Sequence, residues 1–162
     1  MSSYGETGVL APEDLEKILP REERSRRGPV AILECIEKIP CDPCAYACRV
    51  GAIRKRSLVD PPEVDYDKCT GCGECIAICP GLAIFVVDLK SKGNEALLMI
   101  PYEFLPKPKS GEIYEALNRE GEPVGNARII AAREVEGRTT VLTVAVKNDL
   151  AIVVRNIGRR MR

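Results

Sequence analysis

Eight cysteines lie between Cys35 and Cys79, and the chain has no others. The second run reads Cys69-Thr-Gly-Cys72-Gly-Glu-Cys75-Ile-Ala-Ile-Cys79-Pro80, a C-x2-C-x2-C-x3-C-P spacing. Thiolates are soft ligands that suit iron–sulfur clusters and zinc. Three of them on one tight loop can hold three corners of a [4Fe–4S] cube. A fourth, on the helix that follows, points the other way and can close a neighbouring cube. The chemistry this spacing predicts is one-electron redox at iron.

The elements that must hold these thiols form an internal repeat with an offset of 31 residues. Cys41, Cys44 and Cys48 map onto Cys72, Cys75 and Cys79, and Gly51-Ala52-Ile53 is echoed by Leu82-Ala83-Ile84. Each half reads as strand, ligand loop, short helix, strand. Val30 to Leu33 opens the first half, Val64-Asp65-Tyr66 leads into the second loop, and Ile84 to Val87 closes the sheet. Gly71 and Gly73 supply the unusual backbone angles a loop needs to wrap a cofactor with its amides aimed at sulfur. Ile53, Ile76, Ile78 and Ile84 are candidates to exclude water. With so little hydrocarbon inside, such a module relies on its metal to fold.

Two departures mark the first half. Lys38 stands where the repeat would place a cysteine, and the spare one is upstream at Cys35, so the first run is C-x5-C-x2-C-x3-C. Cys48 is followed by Arg49 where the second run has proline. Eight cysteines remain for eight corners. An alternative leaves Cys35 as a buried thiol beside a three-iron cluster on Cys41, Cys44 and Cys79. Zinc is a further alternative, although structural zinc sites usually separate their ligand pairs. Disulfides are disfavoured in a chain expected to be cytoplasmic.

The rest of the chain supplies context. With 45% hydrophobic and 30% charged residues, the composition is globular, not disordered. No apolar run approaches the roughly 20 residues that span a membrane, and Met1 to Leu10 lacks the features of a secretory signal. Residues 29–88 carry 6 basic and 9 acidic side chains, residues 89–162 carry 13 and 9. The basic group Arg159, Arg160 and Arg162 reads as a solvated or partner-docking tail, and no nucleic-acid role is expected. Histidine is absent, which removes imidazole catalysis and Cys/His zinc sites. The missing glutamine points weakly to a thermophile. No nucleophile–base set stands outside the cysteines, so an enzyme acting alone is disfavoured.

An α+β fold is expected, in four parts. Residues 1–28 form an arm whose short helix starts at Pro12, presents Leu15, Ile18 and Leu19, and ends at Pro20, followed by a charged linker from Arg21 to Pro29. Residues 29–88 form the cysteine module. Residues 89–110 form a proline-rich linker containing one strand, Ala96 to Ile100. Residues 111–162 form a small β-barrel or roll from strands at 112–117, 127–135 and 139–146, closed by a helix through Leu150, Ile152, Val153 and Ile157. Its expected work is docking or shielding.

From Cys69 to Pro80 the chain resembles the bacterial two-cluster ferredoxins. The crossing rule of that family implies one cluster on Cys35, Cys41, Cys44 and Cys79, and another on Cys48, Cys69, Cys72 and Cys75. More narrowly, Glu34 to Cys48 with Cys79-Pro-Gly-Leu-Ala-Ile-Phe85, and Gly111-Glu-Ile through Gly125, are similar to the small iron–sulfur subunits of FAD-dependent, dye-linked proline dehydrogenase-type complexes in anaerobes. That resemblance implies electron transfer for a flavoprotein dehydrogenase partner that oxidises an amine or amino acid, with delivery to another flavin or an external acceptor. A free-standing ferredoxin-type carrier is the alternative, and a non-redox, metal-stapled binding module is a third reading.

Overall fold

A computed structural model describes residues 4–90, 93–135, 137 and 139–161. Arg162 of the basic tail, and Glu136 and Arg138 of the turn predicted after Val135, lie outside them.

The arm holds three short helices: α1 (Tyr4–Thr7), α2 (Pro12–Glu16) and α3 (Glu22–Arg27). Proline opens α2 as expected, and Asp14 Oδ2 accepts the Ala11 amide at 3.2 Å. Leu15 is buried, and Leu19 packs on the main core. The helix stops before Pro20, and the stretch read as a linker forms α3 instead. An i,i+4 pair, Glu22 with Arg26 at 2.7 Å, supports it. Its Ser25 carbonyl accepts the Leu89 amide at 3.1 Å, so the arm is tied to the body of the chain.

The cysteine module follows the repeat. Its first half is β1 (Val30–Leu33), α4 (Pro43–Ala47) and β2 (Ile53–Arg54); its second is β3 (Glu63–Val64), α5 (Glu74–Ile78) and β4 (Ile84–Asp88). The halves clasp each other: β1 pairs with β4 and β2 with β3, both antiparallel. Beyond the module come β5 (Glu95–Tyr102), β6 (Ile113–Leu117), β7 (Pro123–Arg133), β8 (Thr140–Lys147) and β9 (Asn156–Arg160). These join β1 and β4 in one antiparallel seven-stranded sheet, ordered β1-β4-β5-β8-β7-β6-β9.

Alternation divides this sheet's two faces. Ile32, Phe85, Val87, Leu98, Ile100, Ile129, Leu142 and Val144 build the larger core. Ala31, Leu33, Ile84, Val86 and Val141 face the other way and pack with Ile53, Ile76 and the cysteine loops. Successive strand residues point to opposite faces, so β1 and β4, buried on both, connect the cysteine site to the core.

Three sequence expectations are corrected. The stretch 89–110 is not simply a linker: β5 runs through it, central in the sheet, with Pro101 and Tyr102 still paired to Val141 and Thr140. The C-terminal strands are therefore not a separate barrel but continue the sheet of the module, and β9 approaches β5 without a ladder between them. The closing helix is also absent. A single 3₁₀ turn, Asn148–Leu150, precedes β9. The β-branched run Ile152-Val153-Val154 resists helix, and Arg155 to Arg160 instead pair along β6.

Candidate iron–sulfur centre

The thiols sort into two neighbouring groups. Cys35 lies within the electrostatic reach of Cys79 and Cys41, and Cys44 within that of Cys79, Cys35 and Cys41. Cys75 is surrounded by Cys69, Cys72, Cys44 and Cys48. Cys79 of the second run thus stands with the cysteines of the first, while Cys75 has both Cys44 and Cys48 of the first run near it. Cys48, Cys69, Cys72 and Cys75 also line one cavity, walled by Ala31, Val50, Ile53 and the loop 70–74. Among the described residues no three Cys, Asp or Glu side chains converge on a single ion. A cube does not ask for that, since each of its thiolates binds a different iron.

Burial pushes the Cys75 thiol up to about 12, and the neighbouring sulfurs of Cys69 and Cys72 add to it. Burial, then Cys79, pushes Cys44 up to about 11. Crowded sulfurs in a dry pocket hold their protons unless a strong positive charge arrives, and a coordinating metal supplies that charge. The donor set therefore fits iron–sulfur clusters. Backbone amides point at sulfur, among them Ala31 to Cys69 Sγ at 3.4 Å, Ala52 to Cys48 Sγ at 3.2 Å, and Ala45 to Cys44.

The second loop owes its path to its glycines. Gly71 has φ +65°, and a Cβ there would stand 2.5 Å from Pro29 Cβ. Gly73 caps α5 at φ +77°, against Met99 Sδ and Arg133 Nη2. Arg24 of α3 secures the same loop from outside, donating to the carbonyls of Tyr66 (2.6 Å), Cys69 (2.5 Å), Gly28 (3.1 Å) and Pro29 (3.3 Å). In the first half, Lys55 Nζ donates to the Cys41 and Leu58 carbonyls, and the Cys41 amide donates to Leu58 O at 3.2 Å, closing the loop that follows the displaced Cys35.

Ile53, Ile76 and Ile84 pack beside the cysteines as expected. Ile78 does not: it is half-buried and lines a surface groove with Cys79, Pro80 and Glu103. Missed by the sequence reading were Arg24, Lys55 and a set of links to the C-terminal strands. Arg133 of β7 pairs with Glu74 at 2.6 Å, and the Thr139 amide donates to Ala77 O at 3.2 Å, so residues at the facing ends of β7 and β8 hold α5. On the other side Glu34, next to Cys35, is held by Arg119 (2.5 Å) and Arg155 (2.7 Å). Burial works to raise the Glu34 carboxyl, but the Arg119 hydrogen bond and both guanidinium charges outweigh it and hold it below the ordinary carboxylate value. Nothing local in the sequence marks these partners, which lie 85 and 121 residues away.

Residues 62–85 match the 4Fe-4S binding domain family. Over 46 residues the chain is 48% identical to one subunit of the ion-translocating oxidoreductase complex of Methanosarcina acetivorans, covering 28% of this chain and 17% of that protein. It is 36% identical over 87 residues to one subunit of the selenate reductase of Mesobacillus selenatarsenatis, covering 53% and 29%. It is 46% identical over 46 residues to the PorD subunit of the pyruvate synthase of Methanothermobacter marburgensis, covering 28% and 51%. The chain thus spans from about a sixth to half of these relatives' lengths. No solved structure matches it. No helix among the described residues is long and apolar enough to cross a membrane.

Proposed function

We propose that this chain is an electron-transfer subunit of an oxidoreductase complex, holding one [4Fe–4S] cluster on Cys35, Cys41, Cys44 and Cys79 and a second on Cys48, Cys69, Cys72 and Cys75. The observation that carries this reading is that Cys48 of the first run lines one cavity with Cys69, Cys72 and Cys75 of the second, while Cys79 of the second run stands near Cys35, Cys41 and Cys44 of the first. When bound, such clusters accept and release electrons one at a time. The chain's own contribution is environment. The amides of Ala31 and Ala52 offset the negative charge that reduction adds at the Cys69 and Cys48 sulfurs. Ile53, Ile76 and Ile84 keep water out, while Cys72, the one exposed cysteine, gives the second group an edge at the surface.

The relatives are named as subunits of oxidoreductases, which supports a role inside an assembly. The finer reading is a flavoprotein dehydrogenase partner that oxidises an amine or amino acid, working in the cytoplasm. It rests on the resemblance of Glu34 to Cys48 and of Gly111 to Gly125. The test is iron and acid-labile sulfide on protein isolated without oxygen, together with flavin in any complex that co-purifies from the native cells. About eight iron and eight sulfide per chain are expected from two cubes. About seven iron with eight sulfide would release Cys35 as a ligand, and zinc would overturn the electron-transfer reading. A monomer without flavin would favour a free-standing carrier.

A further inference from the structure

The Glu34 group carries one positive charge in excess: two guanidiniums share a single carboxylate. All three side chains are largely removed from water, at 8% exposure for Glu34, 15% for Arg119 and 5% for Arg155. Arg119 commits Nε and Nη2 to the carboxylate, which leaves Nη1. Arg155 commits Nε to Glu34 and Nη1 to the Ala151 and Val154 carbonyls. Its guanidinium lies over the Phe85 ring, 4.8 Å from the centroid, and its Nη2 is buried without an acceptor among the described residues. A buried donor left unmatched, in a group with uncompensated positive charge, is costly.

This group forms one wall of a pocket of about 400 Å³, whose other walls come from the arm at Gly8 to Leu10 and from the turn Gly81 to Ala83. A pocket of this size accepts a small molecule. Guanidiniums recognise carboxylate and phosphate oxygens through charge-assisted bonds. We infer that the pocket between the arm and the Glu34–Arg119–Arg155 group binds a small organic anion through a carboxylate or phosphate group. Glu34 holds the two guanidiniums in place, and the anion balances the charge that one carboxylate leaves over. The site stands on these residues alone, whichever metal the cysteines hold.

The test is calorimetric titration of the full-length, metal-loaded protein at constant ionic strength, with inorganic phosphate in one arm and acetate in the other. Saturable binding is expected in at least one arm, and the arm that saturates identifies the recognised group. Arg119→Gln is expected to weaken it about tenfold, the scale of one charge-assisted bond. Lys109→Gln, a distant surface charge, is expected to leave it unchanged. Should Arg119→Gln lose its metal or its fold, Arg119→Lys, which keeps the charge but not the fork, is expected to weaken binding less. Absence of saturation by both anions up to about 10 mM, where even a weak site shows, would overturn the inference. So would equal loss of binding in Lys109→Gln, the mark of non-specific charge.

Discussion

A methyl group at residue 71 has nowhere to go. It would meet Pro29 on a backbone already at φ +65°, and both the clash and the strain act on the loop that carries Cys69, Cys72 and Cys75. Gly71→Ala is expected to cost about 1–3 kcal/mol locally and to leave the second group of thiols short of iron. Iron per chain, compared with wild type, measures this. At Glu34 the effect is electrostatic. Glu34→Gln leaves two largely buried guanidiniums without a counter-charge and is expected to destabilise the fold by about 3–5 kcal/mol. Denaturant unfolding would read that loss. Arg26→Ala, which breaks an exposed pair, should cost no more than about 1 kcal/mol in the same experiment. The two cases differ in how openly the sequence states them. Cysteine spacing is local, and a cube dictates it. The partners of Glu34 are ordinary surface-type residues until the fold brings them in.

At the scale of elements, α3 acts as a clamp. Arg24 reaches four carbonyls on two segments, so Arg24→Ala is expected to cost about 2 kcal/mol from lost hydrogen bonds to a charged donor. Loss of iron to a chelator should also quicken, followed by visible absorbance. The sequence around Arg24 reads as a charged linker because its apolar content is too low to declare a face. What makes it helical is the Glu22–Arg26 pair and the carbonyls waiting for Arg24, only the first of which is local. The strands that open and close the cysteine module were legible because Val30 to Leu33 and Ile84 to Val87 are short unbroken apolar runs and the repeat checks itself. The C-terminal stretch failed for the opposite reason. Leu150, Ile152, Val153 and Ile157 fit a helical face loosely, while the strand pairing that claims Asn156 to Arg160 comes from β6, some 40 residues earlier.

At the scale of the molecule, the reading of separate parts gave way to one sheet, since Asp88 of the cysteine module and Leu97 of the stretch read as a linker sit opposite each other in one antiparallel pair. The two cores nevertheless depend on different things. The larger one contains no cysteine, whereas the smaller includes the cysteines themselves. Stripping the metal without oxygen is therefore expected to melt residues 34–83 first, while amides in β5 to β8 stay protected. Hydrogen exchange would resolve the two, and a single cooperative loss would contradict this division. Exposure also differs from thiol to thiol: Cys75 is buried and Cys72 faces solvent. On the proposed reading, the exposed corner through which electrons would cross to a partner is also the one dioxygen would reach first. In air the molecule would corrode from Cys72 inward, losing the second group's iron before the first. A covering partner would then serve as a rust-proof cap as much as a circuit.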